Sequence, residues 1–139
     1  MAQGNYAEGD ARLAEAIALF HRFNDDEHAM IARIKALQCE LALARGDPAG
    51  AVATARDALA RFERLGLAAH PAALDSRRVL GRALIELGDP QAAAAVLGDA
   101  LRAEERLFVP GDRRSAVTRA ALATARRALT TAGAAPSAR

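Results

Sequence analysis

Apolar side chains recur along this chain with a period of about 3.6 residues, which is the period of an α-helix. The pattern is clearest in the fourth of six such stretches, where the apolar positions are Leu74, Val79, Leu80, Ala83, Leu84 and Leu87. A face this broad can pack on two neighbouring helices. The stretches predict helices over Ala7–Phe23, Glu27–Ala44, Pro48–Leu65, Pro71–Leu87, Pro90–Leu107 and Arg113–Thr131. The pattern therefore predicts an all-α protein with about six helices.

Three short segments divide the pattern at a constant interval: Gly4-Asn5-Tyr6, Gly46-Asp47-Pro48 and Gly88-Asp89-Pro90. The spacing from Gly4 to Gly46 equals that from Gly46 to Gly88, and it is called the repeat interval below. The same interval joins Phe20 to Phe62 and joins His28 to His70, with Asp112 in the third place. Several independent positions that share one interval indicate an internal repeat.

Each residue of the Gly-Asp-Pro segment suits one step of a tight turn between two helices. Glycine adopts the left-handed conformation just after a helix. Aspartate caps the free N–H groups of the next helix, and proline fits its first position. The remaining links are longer (Asn24–Asp26, Gly66–His70 and Phe108–Asp112), so tight and loose connections alternate, as expected for a row of helical hairpins.

The repeat resembles the tetratricopeptide repeat (TPR) family. The residues that match the family pattern are Leu80-Gly81, Leu84, Gly88-Asp89-Pro90, Ala93, Leu97 and Ala100. The repeat interval is similar to that of the longer repeats of kinesin-light-chain type found in bacterial proteins, and Leu65–Pro71 resembles their linker. In the first unit Gln38-Cys39 stands where the second has Leu80-Gly81, so the alignment predicts that Cys39 is a small buried residue.

The resemblance implies a TPR-like α-α superhelix, formed by one domain over residues 1–131 with a flexible tail over 132–139. It also implies a non-catalytic module that binds a peptide or helix of a partner protein in its concave groove. The chain begins on what looks like the second helix of a repeat and ends on a lone first helix. We therefore expect it to be part of a larger protein, and the resemblance implies that this is a bacterial signalling or regulatory protein.

The groove of such a superhelix is lined by the first helix of each repeat. Carried over by position, its lining comprises Arg33, Glu40, Asp75, Arg78, Arg82, Thr124 and Arg127. Arg78 and Arg82 lie four residues apart on one helix face, where they could grip a carboxylate of an acidic partner. The alternative is that Asp75 simply pairs with Arg78 at the surface, which contributes little.

Charge and cysteine content restrict the function further. The net charge is only +2, yet seven arginines and one acid follow from Arg106 onward, which leaves nucleic-acid binding as a further alternative. The scarcity of aromatic residues, 4% of the chain, argues against stacking on single-stranded nucleic acid. A single cysteine and the lack of a long apolar segment favour a cytoplasmic protein without a membrane span. The excess of arginine over lysine and the abundance of alanine are typical of a GC-rich bacterial genome.

No residue pattern indicates catalysis, a cofactor or a metal site. Cys39 lies among apolar residues, where a thiol is inert. His21, His28 and His70 are too widely spaced to share one ion without other ligands, so we interpret them as residues of linker turns. Glu104 and Glu105 are interpreted as part of a solvated helix face.

Self-association is the second alternative function. The first helix has no preceding partner in the sequence, and it is expected to expose Leu13, Ile17 and Phe20. A surface of this kind is covered either by a further repeat or by a second copy in a homodimer.

Overall fold

The computed structural model describes residues 2–23 and 28–134, and within these ranges the chain is entirely helical apart from its turns. The helices are α1 (Ala2–Phe23), α2 (Ala29–Ala44), α3 (Pro48–Arg64), α4 (Pro71–Glu86), α5 (Pro90–Leu107) and α6 (Arg113–Ala134). The predicted all-α class with six helices is confirmed. The predicted link Asn24–Asp26 and residues 135–139 of the predicted tail lie outside the described ranges.

The predicted start of the first helix at Ala7 is wrong, because α1 already begins at Ala2 and runs through Gly4 and Asn5. The reason is Tyr6, which stands where the other two segments have proline. Proline disfavours the helical conformation in the residue before it, and tyrosine imposes no such restriction. Gly4 is accordingly helical and does not have the positive φ of Gly46 and Gly88.

The other helix ends differ from the predictions by only a few residues. Leu65 and Leu87 are C-cap residues rather than the last residues of helices. Leu87 is consequently half exposed, so its assignment to the packed face was wrong, whereas the other five apolar positions of that face are buried. The last helix continues to Ala134 and thus includes the first three residues of the predicted tail.

The two Gly-Asp-Pro segments form the predicted tight turns. Gly46 and Gly88 have φ of 84° and 81°, a region that strains any residue with a side chain. Asp47 N–H donates to Ala42 O at 2.9 Å, which closes the end of α2, and Asp47 Oδ1 accepts from Gly50 N–H at 2.9 Å, which opens α3. Asp89 caps α5 through Ala92 N–H in the same way.

The looser links show a second capping device that recurs at the repeat interval. His28 Nδ1 accepts from Met30 N–H and His70 Nδ1 accepts from Ala72 N–H, both at 3.1 Å. Asp112 takes the third place, where its Oδ1 accepts from Arg114 N–H at 2.8 Å. The repeat seen in the sequence is thus a repeat of structure.

The helices pack in sequence order, each against the next, and the even-numbered helices also contact one another. Along the described chain α2 contacts α4 and α4 contacts α6, whereas no odd-numbered helix contacts another odd-numbered one. The even helices of the described chain therefore form one continuous row, called the inner row below, and each odd helix packs only against its even-numbered neighbours.

The core between these helices is built mainly from alanine and leucine. Its larger part joins α2 to α6, and a second cluster surrounds Phe62, which is fully buried and stacks on His70 with 5.5 Å between the ring centroids. Cys39 is buried, as its alignment with Gly81 predicts. Gly81 marks a close crossing of α4 and α5, since a Cβ atom there would lie well inside van der Waals contact with Leu97 of α5.

Replacing Gly81 with alanine is predicted to destabilise the fold by about 1–3 kcal/mol, because Leu97 is fully buried and has no room to move. Gly98→Ala is the matched control, since a Cβ atom there meets only Arg102 Nη1 at 3.6 Å. That change should stabilise α5 by about 0.5–1 kcal/mol. Urea unfolding of both variants checks the pair, and equal effects of the same sign would contradict the close crossing.

Candidate functional site

An open cleft of about 680 Å³ runs across the inner row of helices. Side chains from α2, α4 and α6 line it: Glu40, Leu43, Ala44, Asp75, Arg78, Val79, Arg82, Glu86, Arg114 and Val117. The lining combines acidic and basic side chains with a strip of aliphatic ones. A surface of this composition can contact both the charged and the apolar side chains of a bound segment.

The cleft brings together four of the residues predicted for the groove, namely Glu40, Asp75, Arg78 and Arg82. Thr124 lies beyond them, in an adjoining cavity of about 200 Å³ that also has Arg82 in its wall.

The remaining two predicted residues lie at the margins. Arg127 donates to Thr124 Oγ1 at 3.1 Å, and it extends the row along α6. Arg33 is exposed on α2, two helical turns before Glu40, and it is not part of the wall of either cavity.

Arg78 is held at the base of the cleft by three partners. Its Nη2 donates to Glu104 Oε1 at 2.6 Å, its Nε to Thr118 Oγ1 at 2.9 Å, and its Nη1 to Asp75 Oδ1 at 2.8 Å. The side chain is only 13% exposed. The pairing of Asp75 with Arg78 considered above is present, but it is one part of a network that ties α4 to α5 and α6.

Glu104 is the residue that sequence reasoning placed wrongly. It is fully buried and not part of a solvated face, whereas its neighbour Glu105 is exposed. The burial follows from its position, because Glu104 lies one repeat interval after Phe62, which is also fully buried. The alignment of the repeats therefore indicated, from the sequence alone, that position 104 is buried.

The network changes which cations of the cleft can meet a ligand. Arg78 is neutralised by Glu104 and Asp75. Arg82 is exposed and makes no hydrogen bond or ion pair within residues 2–23 and 28–134. We therefore assign the principal free positive charge of the cleft to Arg82.

Arg114 supplies a second, partly occupied cation at the α6 end of the cleft. Its guanidinium group lies 3.6 Å from the centre of the Phe108 ring and donates to both carboxylate oxygens of Asp112. These hydrogen bonds lower the pKa of Asp112 to about 2. Arg114 is nevertheless exposed, so it retains donors that can face a ligand.

The α2 side of the cleft is acidic. Partial burial, followed by repulsion from Asp75, raises the pKa of Glu40, although Arg78 opposes the shift. The cleft thus presents one carboxylate on α2, that of Glu40, and exposed guanidinium groups on α4 and α6, while its other two carboxylates, Asp75 and Glu86, lie on α4.

The residues considered for catalysis or metal binding lie in environments that give them a role in the fold. Burial raises the pKa of the Cys39 thiol to about 12, so it stays protonated near neutral pH. His28 and His70 cap helices, whereas the interpretation of His21 as a residue of a linker turn was wrong, because it lies within α1. Across residues 2–23 and 28–134, no group of three or more His, Cys, Asp or Glu side chains is placed to hold a metal ion.

A second groove of about 570 Å³ lies between α1 and α2, and its wall is largely apolar. Gly9, Leu13, Leu37, Leu41 and Ala44 form most of it, with Arg12 and Glu40 at its edges. Leu13, Ile17 and Phe20 are half-buried rather than open to solvent, because this stripe of α1 faces α2. The more exposed apolar side chains here are those of Leu19 and Leu37.

Among the described helices, none is both long and apolar enough to cross a membrane. No family model and no curated protein matches this sequence.

Removing one member of the buried pair is predicted to destabilise the protein by about 3–5 kcal/mol, because the other charge is left buried without its partner. Glu104→Gln and Arg78→Met test this. The double variant Arg78→Met/Glu104→Gln should cost less than the sum of the two, because it leaves neither charge buried without its partner.

Arg102→Met is the matched control, because Arg102 forms its ion pair with Asp99 at an exposed position. Its cost should stay at about 0–1 kcal/mol. Unfolding free energies in urea give all four values. An effect of Glu104→Gln no larger than that of Arg102→Met would contradict the buried network.

Proposed function

We propose that this chain is a non-catalytic interaction module that binds a peptide or helix of a partner protein in the cleft across α2, α4 and α6. The observation that carries the proposal is the cleft itself. It follows the row of mutually contacting helices and combines exposed charge with an aliphatic strip.

Three features support a TPR-type superhelix as the frame of this module. Hairpins recur at the repeat interval, small residues stand at the helix crossing marked by Gly81, and the even helices form one inner row. We infer a short right-handed superhelix of roughly three hairpins, in which stacked repeats place the inner row on the concave face.

The charges of the cleft define the kind of segment that would fit. Arg82 and Arg114 can bind a carboxylate of the segment. Its apolar side chain can pack on Leu43, Val79 and Val117, and Glu40 on α2 can accept a hydrogen bond or bind a cation. Apolar contact would supply most of the affinity, and charge complementarity would set orientation and rate of association.

Peptides selected from a random library against the full chain provide the test. Arg82→Glu should weaken their binding about tenfold or more, which corresponds to the loss of one charge-assisted contact. Arg126→Glu on the exposed surface of α6 is the control and should change binding less than about twofold. Failure to select any peptide, or equal loss in both variants, would count against the cleft.

Self-association is the second candidate, and the apolar groove between α1 and α2 favours it. Light scattering over a concentration series should then show a dimer at low and at high salt, and Leu37→Glu should dissociate it because a charge would enter the apolar contact. A monomer at every concentration would remove this candidate.

We further propose that the module works in the cytoplasm as part of a bacterial signalling or regulatory protein. The arginine- and alanine-rich composition and the single cysteine support this setting. Nucleic-acid binding receives less support, because two of the arginines that follow Arg106, namely Arg114 and Arg119, are paired with Asp112 and Glu105.

A further inference from the structure

The second hairpin, formed by α4 and α5, carries a cluster of arginines on a face that does not belong to the cleft across α2, α4 and α6. Arg77 of α4 and Arg102 and Arg106 of α5 stand around a hollow of about 380 Å³. Asp99 is the one acid in its wall, and the floor is formed by Leu59, Leu80, Val96 and Ala103. This set of three arginines is called the α4–α5 arginine cluster below.

The first hairpin, formed by α2 and α3, has a closed salt bridge at the corresponding place. Asp57 Oδ2 lies 3.2 Å from Lys35 Nζ, and its Oδ1 accepts from Arg61 Nε at 3.0 Å. Partial burial would raise the pKa of Asp57, but the hydrogen bonds from Lys35 and Arg61 outweigh that effect and lower it. The charge of Asp57 is therefore compensated by Lys35 and Arg61 within the first hairpin.

The second hairpin does not form the equivalent salt bridge. One repeat interval takes Lys35 to Arg77, Asp57 to Asp99 and Arg61 to Ala103. With alanine in place of the arginine, Asp99 pairs instead with Arg102 at the surface. Arg77 and Arg106 then have no hydrogen bond or ion pair within the described ranges 2–23 and 28–134.

The cluster has a net charge of +2 over an apolar floor, counting three arginines against Asp99. Arginine presents a planar fork of donors that matches a carboxylate, and Asp99 already accepts a hydrogen bond from Nη2 of one of the three arginines, Arg102. The floor of Leu59, Leu80 and Val96 offers nothing to a phosphate backbone but can receive an aliphatic side chain. The wall contains no aromatic residue on which a base could stack.

We propose that the α4–α5 arginine cluster is a second binding site, which takes a protein segment with paired acidic side chains next to an aliphatic one. Arg77 and Arg106 bind its carboxylates, and the leucine and valine side chains of the floor receive its apolar residue. The chain thus presents two separate recognition surfaces, and α4 contributes to both through the neighbouring residues Arg77 and Arg78. This inference does not depend on the function proposed for the cleft.

Fluorescence anisotropy of the full chain with a labelled peptide of glutamate and leucine tests the proposal. The wild type should bind this peptide, and should bind the matching peptide of glutamine and leucine at least about tenfold more weakly, because the neutral amide loses the charge-assisted bonds. Arg77→Gln/Arg106→Gln should lower affinity for the acidic peptide by about tenfold or more.

Arg113→Gln/Arg126→Gln is the matched control, because it removes the same charge from exposed positions on α6. It should leave affinity within about twofold. Circular dichroism of each variant should match the wild type, since none of the four arginines is buried.

The inference would be overturned by no binding of the acidic peptide, equal binding of the glutamine peptide, equal losses in the two double variants, or tighter binding of a short DNA duplex through Arg77 and Arg106. A loss caused by Arg82→Glu but not by the cluster variant would place the peptide in the cleft instead. That result would overturn the second site and leave the function proposed for the cleft intact.

Discussion

The carboxylate of Glu104 is completely removed from solvent, and a charge in that position must be compensated. Arg78 of α4 and Thr118 of α6 provide the compensation, so a single group on α5 fixes the relative positions of three helices. The same contacts place Arg78 at the base of the cleft and neutralise it. The neutralisation of Arg78, and with it the assignment of Arg82 as the principal free cation of the cleft, follows from the burial of one acid.

The two hairpins have different kinds of residue at the equivalent buried positions of their centres. The first places Phe62 in its centre and surrounds it with alanines, among them Ala36. At the equivalent places, one repeat interval later, the second has Glu104 and Arg78. An apolar centre needs no partners, whereas an ionic one requires specific ones, and this requirement favours a single arrangement of the second hairpin over its alternatives. Helix α4 of this hairpin lines the cleft, and both of its helices contribute to the α4–α5 arginine cluster.

Local rules were sufficient to predict most of the fold. The turn at Gly46 and the caps at His70 and Asp112 depend on neighbouring residues, and the hydrophobic period gave the helices and their packed faces. The predictions failed where the outcome depended on distant contacts. Glu104 looks like a surface acid in its own helix; its alignment with Phe62 indicates a buried position, but the partners that make the burial possible, Arg78 and Thr118, lie on other helices. Whether each arginine of the candidate site forms an ion pair also depends on residues distant in sequence, so it could not be predicted from the local pattern.

Hydrogen exchange at the arginine side chains, followed by NMR, tests the buried network most directly. Arg78 Nε–H donates to Thr118 Oγ1 at 2.9 Å from a side chain that is 13% exposed, whereas Arg82 is exposed. The account predicts that the Nε–H signal of Arg78 exchanges at least about tenfold more slowly than that of Arg82, because exchange requires the network to open. Glu104→Gln should abolish the difference. Equal exchange at Arg78 and Arg82 in the wild type would contradict the account.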